Sequence, residues 1–148
     1  MAQYFECKVR YDKTMENGCI KRVTETYLVD ALTFTEAEKR FIEEVAPYFS
    51  GESEVSVVKK AKLADVFRSN DAQDDRYYRA RIVYISLDEK TGAEKRTAAN
   101  TLIQAKDLKT SLTHLEESMK DCMGDWEAVS LAETPIIDIF DYKDNERG

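Results

Sequence analysis

Two stretches of this chain are near copies of one another. YFECKVRYDKTMENGCIKR occupies residues 4–22, and YYRARIVYISLDEKTGAEKR occupies residues 77–96. Each opens on two aromatics, alternates apolar with charged residues as far as a Tyr, crosses a polar loop to a Gly, and resumes at Lys-Arg. Sliding the chain against itself by 73 or 74 positions extends the match in order. Tyr4 meets Tyr77 and Tyr11 meets Tyr84. After a one-residue difference in loop length, Gly18 meets Gly92, Lys21-Arg22 meets Lys95-Arg96, and Leu28-Val29 meets Leu102-Ile103. Ala31 meets Ala105, Phe34 meets Leu108, Phe41 meets Leu115 and Gly51 meets Gly124. Asp65-Val66-Phe67 finally meets Asp138-Ile139-Phe140. A series this long and this ordered restricts the chain to folds that use one supersecondary unit twice.

The unit can be read from its periodicities. In the first half Phe5, Cys7, Val9 and Tyr11 alternate with Tyr4, Glu6, Lys8 and Arg10. In the second half Tyr78, Ala80, Ile82 and Tyr84 alternate with Tyr77, Arg79, Arg81 and Val83. Period two predicts a strand with one buried face. Asn17-Gly18 and Thr91-Gly92 mark hairpin turns, where positive φ angles are needed. Return strands follow at about 20–31 and 94–105. Thr33-Phe34-Thr35-Glu36 is a capping box, and Phe34, Ala37, Phe41 and Val45 then recur at helical spacing up to Pro47. In the second half Asp107 is the cap, ahead of a stripe of Leu108, Ser111, Leu112, Leu115 and Met119. A third strand is expected near 54–62 and again near 126–134.

The reading is α+β: a duplicated ββαβ unit, mainly antiparallel, with two helices and pseudo-twofold symmetry. Its parts are a first repeat at 1–67, a linker at 68–76 (RSNDAQDDR), a second repeat at 77–141 and a flexible tail at 142–148. A right-handed crossover places strand three beside strand one, giving the order 2-1-3 in each half. One extended sheet and a closed barrel are both compatible with this pattern. The expected core is Val9, Tyr11, Val29, Phe41, Val58, Phe67, Ile82, Tyr84, Ile103, Leu115, Leu131 and Phe140.

At 148 residues a chain of this kind buries enough surface for a core without covalent staples. Its net charge of −7 disfavours indiscriminate binding to phosphate backbones and anionic membranes. Cys7, Cys19 and Cys122 share no metal-binding or redox spacing, which predicts free thiols in a reducing compartment. MAQYFECKVRYDK carries no apolar stretch of the signal-peptide kind, and no run of residues is apolar for long enough to span a bilayer. The expected location is the cytoplasm.

The segments TETYLVDALTFTEAEKRF and LDEKTGAEKRT resemble a family of uncharacterised proteins of about this length from Bacteroides-group bacteria and their phages. The resemblance spans the chain and implies a single-domain intracellular protein. It brings no functional residues with it.

Catalytic chemistry has few candidates. His114 is the single histidine. It lies on the second helix without a nucleophile-elbow pattern, and is read as a surface or half-buried side chain, as its counterpart Arg40 also implies by being expected in solvent. No glycine-rich phosphate loop and no cysteine–histidine zinc pattern is present. Glu36, Glu38, Glu43 and Glu44 read as the solvated face of a helix, and Asp71, Asp74 and Asp75 as linker. No cofactor, metal or catalytic residue is assigned, and the expectation is a non-enzymatic protein.

Charge placement points to binding. The strand segments together carry +4, so the rest of the chain must hold −11 to reach the net −7. Tyr4, Lys8 and Arg10 share one strand face, and Tyr77, Arg79 and Arg81 share its copy, with Arg22 and Arg96 across the hairpins. Aromatics interleaved with Arg and Lys on a sheet can hold single-stranded nucleic acid, the rings stacking on bases and the cations meeting phosphates. These eight residues form the predicted interface, as two half-sites with Tyr4 and Tyr77 as stacking platforms. The plainer account is that charged strand faces are solvated and discourage edge pairing. A competing function is a protein–protein adaptor or inhibitor that uses the acidic helices to dock on a basic partner. Self-association through an uncovered sheet edge is a further expectation.

Overall fold

The computed structural model describes residues 3–45 and 53–141. Pro47, Gly51 and the tail at 142–148 lie outside the described residues. Ten elements follow in chain order: β1 (Tyr4–Thr14), β2 (Ile20–Asp30), α1 (Phe34–Val45), β3 (Ser53–Lys60), β4 (Asp65–Phe67), β5 (Arg76–Leu87), β6 (Glu94–Ala105), α2 (Leu108–Met119), β7 (Asp125–Glu133) and β8 (Ile136–Phe140). They make an α+β protein with two mixed, mostly antiparallel sheets. The sheet orders are β3-β1-β2-β8 and β4-β6-β5-β7. The expected order 2-1-3 is present in each, and each sheet gains a short fourth strand that alternation did not mark.

Each fourth strand comes from the other half of the chain. β8 runs parallel to β2, and β4 runs parallel to β6. The compact units are therefore Met1–Ala61 with Pro135–Gly148, and Lys62–Thr134. Segment 68–75 is part of the second unit, where the amide of Ser69 donates to Gln104 Oε1 and Gln104 Nε2 donates to the Asp74 carbonyl.

Each unit buries one helix face against one sheet face. In the first, Phe5, Cys7, Val9, Val29 and Ala31 meet Ala37 and Phe41, and Tyr27, Val55, Val58 and Phe140 close the edges. In the second, Ala80, Ile82 and Ile103 meet Leu115 and Met119, flanked by Phe67, Tyr84, Trp126 and Leu131. Of the expected core residues, Val58, Phe67, Tyr84, Leu131 and Phe140 are half-buried at the edges of these cores, and Tyr11 belongs to neither. Tyr11 is half-buried, and its hydroxyl donates to the carboxylate of Glu25.

Local signals formed as the residues dictate. Thr33 Oγ1 accepts from the amide of Glu36 at 3.1 Å, and the Glu36 carboxylate reaches back to the amide of Leu32 at 3.3 Å. Asp107 Oδ1 accepts from the amide of Thr110 at 2.7 Å. The hairpins are longer than two-residue turns. Gly18 donates to the Met15 carbonyl, and Gly92 donates to the Asp88 carbonyl. Among the described residues only Gly18 and Gly92 take positive φ, at 83° and 73°. Asn17 does not, because a three-residue loop needs one left-handed position and not two.

Each edge strand beside the central strand carries a bulge. Register shifts between Lys8 and Val9 in the first sheet, and between Arg81 and Ile82 in the second. Val55 and Val58 are an odd number of positions apart and would face opposite sides of a regular strand. The extra residue, Ser56, brings both onto the helix side.

Candidate binding surface

The face of β5 turned away from α2 presents Arg79 and Arg81, two residues apart and so about 7 Å along the strand. Arg79 pairs in register with Leu102 on β6 and Ala132 on β7, and Arg81 pairs with Asn100 and Ser130. Both guanidinium-bearing residues are exposed, and every cross-strand neighbour is uncharged. The corresponding face of β1 is mixed in charge. Arg10 lies opposite Glu54 on β3, Glu6 bonds Lys59 at 3.5 Å, and Lys8 is half-buried between Thr26 and Val57.

The two hairpin arginines are committed to carboxylates. Arg22 meets Glu54 at 3.4 Å. Arg96 pairs with Glu127 and also meets Glu94 at 3.4 Å, which raises its pKa chiefly through the Glu127 bond. Arg76, at the start of β5, meets Glu133 at 3.5 Å.

Tyr77 is 3% exposed, and Leu102 and Val83 on the same face of the sheet are buried too. A ring without exposed surface cannot stack a base, so Tyr77 is not a platform. Tyr4 is half-buried. Alternation told which side of the strand Tyr77 takes, but a side chain's side does not say whether that side is covered. The structure thus brings Arg79 and Arg81 together as an open pair, leaves Lys8 half-buried and Arg10 opposite Glu54, and ties Arg22 and Arg96 into ion pairs.

Three arrangements escaped sequence reasoning. Arg40 is buried at 7% exposure, against the expectation of solvent. Its guanidinium donates to the carbonyls of Asp30 and Asp141, the latter at 2.7 Å. Nothing in a lone Arg on a helix reveals two buried carbonyls waiting beyond it. Second, Asp74 is buried, although an acidic, polar run reads as solvated. The Ser69 hydroxyl donates to its Oδ2, and His114 Nε2 lies 3.9 Å from the same oxygen. The serine is bonded to the carboxylate and not to the imidazole, so this is a structural tie and not a nucleophile–base pair. Third, Glu25 accepts from both Tyr11 and Tyr27. That bond, more than burial, lifts the Tyr11 phenol to about 12. Burial first and the same carboxylate second lift Tyr27.

Cys7 is buried, Cys19 exposed and Cys122 half-buried, all as free thiols. Burial, with Glu6 and Glu38 adding, pushes the Cys7 thiol up to about 12. Among the described residues no three His, Cys, Asp or Glu side chains converge as a metal site, and no helix is long and apolar enough to cross a membrane. Comparison with curated proteins finds none that matches the chain. A family pattern matches residues 3–142, nearly everything described above, and so the chain belongs to the family described as Domain of unknown function (DUF4494).

Proposed function

We propose that this protein is a non-enzymatic binding module of the cell interior that holds single-stranded nucleic acid by its phosphates, with Arg79 and Arg81 as the principal contacts. The observation that carries this reading is the contrast among arginines. Arg22, Arg76 and Arg96 spend their charge on carboxylates, whereas Arg79 and Arg81 are exposed among Leu102, Ala132, Asn100 and Ser130. Arg suits this role because its planar fork meets a phosphate with two bonds. Lys8 and Arg10 would form a weaker second contact, diluted by Glu6 and Glu54.

The test is a fluorescence anisotropy titration of a labelled single strand at two salt concentrations. Arg79→Ala with Arg81→Ala should weaken binding more than Lys8→Ala with Arg10→Ala. It should also make the salt slope shallower by about one to two units, roughly one for each phosphate no longer neutralised. Both variants should keep the parent's circular dichroism, since these side chains are not in the core. Equal binding by parent and Arg79/Arg81 variant would sink the reading. Absence of binding even at low salt would favour the adaptor, which has its own support. α1 carries Glu36, Glu38 and Glu43 beside exposed Phe34 and Ile42, an acidic surface with apolar contacts in it.

We also read the chain as an internal duplication with pseudo-twofold symmetry. The support is positional. Leu28 pairs Ile139 as Leu102 pairs Val66. The bulge recurs at the matching place in β3 and β7. Arg22–Glu54 recurs as Arg96–Glu127. The half-sites of such a repeat need not stay equal, and here the second carries the cleaner positive charge.

A further inference from the structure

We propose that His114 is a pH-operated latch, which on protonation fastens segment 68–75 to α2 through the buried carboxylate of Asp74. His114 Nδ1 lies 3.1 Å from the carbonyl oxygen of Gln104. A carbonyl oxygen can only accept, so in the neutral ring Nδ1 carries the hydrogen and Nε2 carries the lone pair. Nε2 lies 3.9 Å from Asp74 Oδ2, a carboxylate oxygen of a residue only 4% exposed. Lone pair and carboxylate repel one another across that gap. A proton on Nε2 turns the same gap into an ion pair, strengthened by the partial exclusion of water from the carboxylate.

Glu117 and Lys120 on α2 and Arg68 on the segment itself line a pocket of about 280 Å³ with the imidazole. Glu117 adds to the attraction, while Arg68 and Lys120 oppose it. Asp74 is buried and sits at ion-pair distance from Nε2. The segment is already held to β6 by the Gln104 side chain and to itself by the Ser69 hydroxyl. What it gains from the proton is a tie to the helix.

The first unit shows what the position does without titration. Arg40 is the seventh residue of α1, as His114 is of α2. Arg40 donates to the carbonyl of Asp30 at the end of β2, and His114 meets the carbonyl of Gln104 near the end of β6. One unit thus holds a permanent cation where the other holds a switchable one. The latch does not depend on the nucleic-acid reading, because it concerns the opposite side of the second sheet.

The test uses the intact chain. With one histidine, its ring ¹⁵N signals need no assignment by mutation. At alkaline pH the neutral ring should be the Nδ1–H tautomer. Amide-exchange protection of residues 69–75, corrected for the intrinsic effect of pH, should rise about three- to tenfold between about pH 8 and pH 5.5. His114→Gln, which can donate but never titrates, should abolish that rise, and Asp74→Asn should abolish it too. An Nε2–H tautomer in the parent, or an undiminished rise in His114→Gln, overturns the latch. Those two measurements decide the matter even where Asp74→Asn fails to fold.

Discussion

At the scale of single residues, the buried polar side chains of Arg40 and Asp74 each hold hydrogen-bond partners. Arg40 bridges the carbonyls of Asp30 and Asp141, which ties helix, central sheet and the end of β8 together within one unit. Arg40→Ala should lower stability by about 1.5–3 kcal/mol, the range for hydrogen bonds to a charged group. Arg40→Lys should recover only part of it, because a single ammonium cannot fork to two acceptors as a guanidinium does. Urea denaturation checks both, with the midpoint falling and the slope unchanged. An alanine variant as stable as the parent would show that the two carbonyls find water instead. Cys7 gives a prediction of opposite kind. Its thiol is raised from 9.0 to about 12 by burial, so the folded state holds that proton more tightly than the unfolded chain. The resulting stability is intact below about pH 9 and disappears as pH climbs towards 12. Tyr11 and Tyr27 act in the same direction, through Glu25 and burial. Stability should therefore fall steadily above about pH 9, and a thiol reagent at neutral pH should modify exposed Cys19 first and Cys7 only on unfolding. Prompt labelling of Cys7 in the folded protein would mean that the β1 core face opens readily.

At the scale of elements, what was legible in the sequence was what neighbours along the chain can settle among themselves. The Thr33 and Asp107 caps and the glycine turns formed as expected, because each depends on residues close in the chain, whereas of the helical stripes Ala37, Phe41, Ser111, Leu115 and Met119 are buried and Phe34, Leu108 and Leu112 are exposed. Three features were not legible. The bulges at Ser56 and its counterpart in β7 are answers to how a neighbouring strand curves. β4 is only three residues long, and β8 only five. Both are parallel additions, stabilised by partners far away in the chain, and a run that short has too little alternation to be distinguished from a loop. Their faces can nonetheless be tested. Ile139 is buried beside Leu28, while Ile137 in the same strand is exposed. Ile139→Ala should cost about 2–5 kcal/mol and Ile137→Ala less than about 0.5 kcal/mol. Equal losses by thermal denaturation would show that β8 does not lie along β2 with Ile139 opposite Leu28.

At the scale of the whole molecule, the reciprocal placement of β4 and β8 means that neither half of the sequence completes a sheet alone. It also leaves β3 and β8 at the edges of one sheet, and β4 and β7 at the edges of the other. β3 and β7 are bulged, and β4 and β8 are short, which are the features by which edge strands resist pairing with another chain. Association through these edges is therefore expected to be weak. Sedimentation velocity at two widely separated concentrations should give one and the same coefficient near that of a 17.0 kDa particle. A coefficient that rises with concentration would assign an edge to self-association. The residues proposed to bind nucleic acid follow the same division of information. Strand alternation placed Arg79 and Arg81 on one face, and that placement depended on nothing beyond the period of a strand. The pairing of Arg22 and Arg96 with carboxylates 32 and 31 positions away, and the burial of Tyr77, depended on which strands came to lie alongside and on what covered them. By itself the sequence determined the helices, the hairpins, the caps and the order of the first three strands in each sheet, since all of these follow from contacts that close within a short loop. Only the tertiary structure decided which charges remain unspent, which polar groups are buried and where the two short strands go. Those outcomes turn on pairs of residues that the chain separates and folding alone brings within a few ångströms.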